Sequence, residues 1–157
     1  MENAKAKTIT LVSTVVMAML LFAEAHPLCK GVPFANRFLY HFYHASFIHY
    51  ITNAWCLVSA VFAFDLAVSD LAAAYIIASF APVIWTTPTI GLSGVCFALL
   101  GRCSFLVRQK MHYHYFMALF IIVGLVLPHI NGFIHLYCYV AGILYGLLIH
   151  PIKWQTK

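Results

Sequence analysis

Residues 132–149 read GFIHLYCYVAGILYGLLI, a stretch without one charged side chain. A helix needs about 20 such residues to cross a bilayer. His135 near its start is the only strongly polar side chain in it. Gly142 and Gly146, one helical turn apart further along, would let a second helix backbone come close. Outward from this stretch the pattern repeats. Apolar runs at about 8–25, 45–64, 71–84, 92–107 and 115–127 predict five more helical spans. The fold class expected is all-α: a polytopic membrane protein, a six-helix bundle forming a single domain over 1–157.

Composition supports this reading. The chain has 157 residues, of which 64% are hydrophobic and 8% charged; the mean hydropathy is +0.91. Soluble domains carry about 25% charged residues. Six spans use roughly 120 residues and leave only short loops, with no separate soluble domain. The net charge of +5 comes from scattered cations, not a stripe, so nucleic acid is not an expected partner. The lipid bilayer is. The five cysteines form no CxxC pair and read as small apolar residues in packed helices.

The cations set the expected topology. Lys5 and Lys7 precede span one, Arg108 and Lys110 separate spans four and five, and Lys153 and Lys157 follow span six. With six spans all of these lie on one side, which the positive-inside rule makes the cytoplasm. Lys30 and Arg37 fall on the other side. Both termini are expected to be cytoplasmic, in a prokaryotic cytoplasmic (inner) membrane. Ala23-Glu24-Ala25 resembles a signal-peptidase site, but the preceding apolar run is long for a signal peptide, so a retained helix is expected. Residues 27–44 are too polar and broken to span, and their aromatics suit an interface.

Polar residues within apolar spans are functional candidates by default. His49 and Asn53 lie one turn apart on span two. Ser93 opens span four within Gly91-Leu92-Ser93-Gly94. His135 opens span six. All stand in the first turns of even-numbered spans, and so at one depth near the extracytoplasmic face. A serine hydroxyl becomes a nucleophile when a base takes its proton, and histidine is the usual base. Ser93, Phe97 and Gly101 share a face of span four; His135, Cys138, Gly142 and Gly146 share a face of span six. Small residues on both faces could hold Ser93 against His135. Asp65 and Asp70 lie at the opposite membrane face and Glu24 has no supporting spacing, so a Ser–His dyad is expected. The oxyanion donors expected are the Ser93 backbone N–H, His49 and Asn53. Arg102 is expected to snorkel. His41 and His44 are expected to be interfacial or structural, and His112 and His114 to be solvated loop residues.

These residues resemble the signature of the rhomboid family of intramembrane serine proteases. Gly91-Leu92-Ser93-Gly94 is similar to the family's GxSG motif, with Ser93 in the nucleophile's place. His44 to Asn53 matches HxxxxHxxxN, which implies oxyanion stabilisation by His49 and Asn53. His135, Gly142 and Gly146 resemble HxxGxxxGxxxG, with His135 as base. Arg37 resembles the arginine of a Trp–Arg pair in the first membrane-embedded loop. The similarity runs over roughly residues 8–150. Asn36 replaces the tryptophan of that pair, Cys138 the first glycine after the histidine, and Phe97 a frequent tyrosine.

The resemblance implies cleavage of membrane-protein substrates within a transmembrane helix, without metal or organic cofactor, and small residues at the scissile bond. Two other classes bear on the same residues. A haem or metal protein would use some of the nine histidines, but these scatter between both membrane faces. A rhomboid-like protein that binds helices without cleaving them would not need Ser93 and His135.

Overall fold

The computed structural model describes residues 2–85, 88–128 and 130–149, and these are all-helical. Seven α-helices follow in order: α1 (Glu2–Met19), α2 (Asn36–Leu39), α3 (Phe47–Ala63), α4 (Val68–Ser79), α5 (Ser93–Cys103), α6 (Lys110–Val126) and α7 (Gly132–Ile149). Short 3-10 turns extend α1 over Leu20–Phe22 and α2 over Tyr40–Phe42.

By length and composition, Glu2–Phe22 and Gly132–Ile149 can each cross a membrane. A third crossing results if Asn36–Phe42 and Phe47–Ala63, bent by 96° at their junction, count as one. The helices at α4, α5 and α6 are apolar but shorter. The sequence boundaries shift accordingly. The first helix begins at Glu2 and takes in Lys5 and Lys7, while α4, where the third span is expected, ends at Ser79, five residues before the expected 84. Lys153 and Lys157 lie outside the described residues.

Local chemistry sets several helix starts. Ser46 caps α3: its Oγ accepts from the backbone N–H of His49 at 3.2 Å. The Asp70 carboxylate, in the first turn of α4, accepts from the Ala67 N–H at 3.0 Å. Asn131 caps α7, its Oδ1 accepting from the Ile134 N–H at 3.3 Å. Leu92 makes no side-chain cap for α5, and the amides that open a helix have no intrahelical acceptor.

The core is built on α5. Its Gly94, Val95, Cys96, Ala98, Leu99 and Gly101 are all buried. The closest pairing is with α7. A Cβ on Gly101 would overlap the Tyr139 carbonyl oxygen, and a Cβ on Gly142 would overlap the Ala98 carbonyl oxygen. Only glycine permits this approach. Cys138 sits opposite Gly94, 3.4 Å from where a Cβ there would stand. The thiol thus fills the space that Gly94 leaves.

The loop from α1 to α3 is strapped to the end of α4. The last carbonyls of a helix lack intrahelical donors, and here the loop supplies them. Arg37 Nη1 donates to the Ser79 and Ala81 carbonyls at 3.3 and 3.0 Å, and Tyr40 Oη donates to Ala78 at 3.0 Å. A cation suits this end of a helix. Asn36 donates to the Pro27 carbonyl at 2.8 Å.

Two expectations about charged and histidine residues are corrected. Arg102 does not snorkel. It is buried and its Nε lies 3.0 Å from the buried Asp70 carboxylate, an ion pair between α5 and α4. Snorkelling needs a path to the interface, and the surrounding helices close it. His112 and His114 are helical, not loop residues, because α6 begins at Lys110. His114 Nδ1 lies 2.8 Å from Tyr139 Oη on α7.

Candidate active site

Four segments meet at one end of the bundle: the starts of α3, α5 and α7 and the end of α6. They surround a cavity of about 1040 Å³ lined by His49, Asn53, Thr89, Ser93, Phe97 and His135 among others. The sequence positions expected to share a depth are therefore close together in space.

Ser93 is the first residue of α5, and His135 the fourth of α7. Ser93 Oγ and His135 Nε2 are 2.9 Å apart, a hydrogen bond between helices 42 residues apart in sequence. The Phe97 ring, one turn below Ser93, lies parallel to the imidazole at 4.3 Å with an interplanar angle of 11°. Phenylalanine thus stacks on the histidine as tyrosine would. Beyond Nδ1 stands Gly124 of α6, whose Cβ would come within 3.3 Å of that nitrogen. Among the described residues, neither ion pair involves His135. The 2.9 Å separation is within the distance that a proton transfer requires.

His49 and Asn53 face the turn before Ser93. A Cβ on Gly91 would stand 2.8 Å from His49 Nε2 and 3.3 Å from Asn53 Nδ2. Gly91 has φ +113°, a conformation L side chains rarely adopt. The turn is tied to the loop by Gly91 N–H donating to the Tyr40 carbonyl at 2.9 Å. Asn53 is 8% exposed, and among the described residues its Nδ2 has no hydrogen-bond partner. A buried amide donor without an acceptor is costly. Asn53 is also among the residues that line the cavity. Below it, Cys96 Sγ lies 3.5 Å from the Asn53 carbonyl and ties α5 to α3.

Other site-related residues fall elsewhere. Arg37 and Gly94 serve the scaffold described above. Gly146 packs on the Phe105 ring. His41 is fully buried, 3.0 Å from Ser79 Oγ; burial pushes its pKa down to about 3. It is structural and not interfacial. His44 lies edge-on to His49 at 5.1 Å, and burial, with His49 nearby, holds it down to about 4. Glu24 is exposed. Among the described residues, no three His, Cys, Asp or Glu side chains converge to hold a metal ion.

Thr89 and the loop before Gly132 line the site, and Thr86 and Thr87 lie outside the described residues. Asn131 is the last residue of that loop. Its Nδ2 donates to Thr89 Oγ1 at 2.9 Å across the cavity mouth. An Asn-Gly pair just before an apolar run is a helix-start signal that could have identified it.

The chain matches no protein-family model, no curated protein and no solved structure. The geometry therefore carries the functional reading alone.

Proposed function

We propose that the chain is an intramembrane serine protease of the rhomboid type. It would cleave membrane-protein substrates within a transmembrane helix, near the extracytoplasmic face. The observation that carries the reading is the 2.9 Å Ser93–His135 hydrogen bond inside a cavity lined also by Asn53. Serine and histidine at that distance, with a donor facing the same space, is the constellation of acyl transfer.

In this mechanism Ser93 Oγ attacks the scissile carbonyl carbon while His135 Nε2 takes the hydroxyl proton. Charge develops on the carbonyl oxygen. Asn53 Nδ2, His49 and the uncapped first-turn amide of Ser93 are its donors. Collapse breaks the C–N bond as His135 gives its proton to the leaving amine. Water, activated by His135, then cleaves the acyl ester and restores the Ser93 hydroxyl. Phe97 holds the imidazole plane throughout.

The membrane reading belongs to the same proposal: six spans in a prokaryotic cytoplasmic membrane, with N- and C-terminal segments cytoplasmic. Its support is the apolar outer surface. Leu11, Val15, Phe116, Phe120, Val140 and Leu144 are exposed on α1, α6 and α7. Such a surface suits lipid and not water. At 11 residues α5 extends only about 17 Å, against about 30 Å of hydrocarbon. Non-helical backbone at membrane depth is tolerated where protein or a water-filled cavity surrounds it; α5 is largely buried in protein and its start lines the cavity. Lys7 pairs with Asp65 just past the end of α3, and Arg108 and Lys110 follow the end of α5 away from Ser93.

The test is reaction with a fluorescent fluorophosphonate in mild detergent. Wild type should label on Ser93, with Ser93→Ala and His135→Ala unlabelled. Asn53→Ala should label about a hundredfold or more slower. Labelling of Ser93→Ala at the wild-type rate would refute the nucleophile assignment. A folded but unlabelled wild type would instead fit a helix-binding protein without protease activity.

A further inference from the structure

Asn131 and Thr89 stand four residues ahead of His135 and Ser93, respectively. Their side chains meet at 2.9 Å, as do those of His135 and Ser93. Two hydrogen bonds and two short chain segments thus close a ring at the cavity mouth. Thr89 is anchored within this ring. Its backbone pairs with Leu28 in both directions, N–H to carbonyl at 3.0 Å and carbonyl to N–H at 2.8 Å. Asn131 is anchored as well, because its Oδ1 accepts from the Ile134 N–H one residue before the histidine. One amide therefore starts the helix that carries the base and ties that helix start to the strap that leads into Ser93.

The tight Gly101–Gly142 contact between α5 and α7 lies two turns below the dyad. At the upper end α7 is held against α6 instead, where a Cβ on Gly132 would stand 2.6–2.8 Å from the backbone of Gly124 and Leu125. A displacement of about 1 Å of the start of α5 relative to α7 would separate serine from histidine and cost on the order of a hundredfold in rate. We infer that Asn131 is a positioning residue for the dyad, acting through Thr89 to set the distance between Ser93 and His135. This rests on the protease reading for its catalytic consequence, but not for the geometry itself.

Thr89→Val is the discriminating variant. It removes the hydroxyl, keeps the shape and leaves the Asn131 cap on α7 intact. Asn131→Ser keeps a cap and is too short to reach Thr89. Two readouts are taken in detergent. The first is the rate constant of fluorophosphonate reaction, with the endpoint reporting the folded fraction. The second is the rate of His135 carbethoxylation by diethylpyrocarbonate, followed by peptide mass mapping, which needs no catalysis. Both variants should reach the wild-type endpoint at least about tenfold more slowly, and both should expose His135 to faster carbethoxylation. A merely structural role would lower the endpoint and leave the rate constant of the folded fraction unchanged; that result overturns the inference. If the wild type itself failed to label, the protease reading would fall. Carbethoxylation would still decide the positioning, and equal His135 rates in wild type and Thr89→Val would refute it.

Discussion

Gly142→Ala tests whether the dyad depends on the contact between α5 and α7. The added Cβ would stand 2.8 Å from the Ala98 carbonyl carbon and 3.0 Å from its Cα, and it would overlap the carbonyl oxygen outright. Carbon atoms in contact prefer about 3.5–4.0 Å. The obstacle is backbone, which cannot rotate away, so the helices must part by roughly 0.7 Å or more. Carried to the helix starts, that shift would stretch the 2.9 Å Ser93–His135 bond to about 3.6 Å, outside hydrogen-bond range. The cost to stability is about 1–3 kcal/mol, as for other overpacked cores. The cost to reaction is greater, since a positioned base is worth about a hundredfold to ten-thousandfold.

Gly146→Ala is the internal control. Its Cβ would come within 2.5 Å of the Phe105 ring, but a ring can turn aside. Fluorophosphonate rates and detergent unfolding of the two variants side by side make the assay. Gly142→Ala reacting at the wild-type rate would refute the reasoning, and so would equal losses from both variants.

Two further outcomes follow from the scaffold. The Arg102–Asp70 pair is buried on both sides, so Arg102→Met or Asp70→Asn alone should destabilise by about 3–5 kcal/mol, while the double replacement should recover much of that loss in a thermal melt. For His41, burial lowers the folded pKa to about 3 against an ordinary 6.5. Its neutral form is the folded one, so its contribution is intact above pH 6.5 and is lost as pH falls towards 3. His41→Gln, which cannot take up a proton, should flatten that part of a stability-versus-pH curve, and an unchanged slope would count against it.

Composition and hydropathy were enough to define an all-helical chain with an apolar exterior, because 8% charged residues cannot solvate a domain of this size. The run at 132–149 became a helix with those same limits, since Asn131 and Gly132 mark its start. Helical spacing also grouped His49 with Asn53 and Ser93 with Phe97. These were legible because a helix face and a depth are local properties, written in periods of three to four residues.

Which faces meet is not local. Only the tertiary structure brought Ser93 to 2.9 Å from His135, because that distance depends on backbone contacts at Gly101 and Gly142. It also paired Arg102 with Asp70, buried His41, and joined Asn131 to Thr89. Each of these partnerships links residues about 30 or more positions apart. A sequence reading assigns each such residue to solvent or to an interface by its own polarity. In the folded bundle the helices shut off both, and the polar group must take the partner that packing leaves within reach.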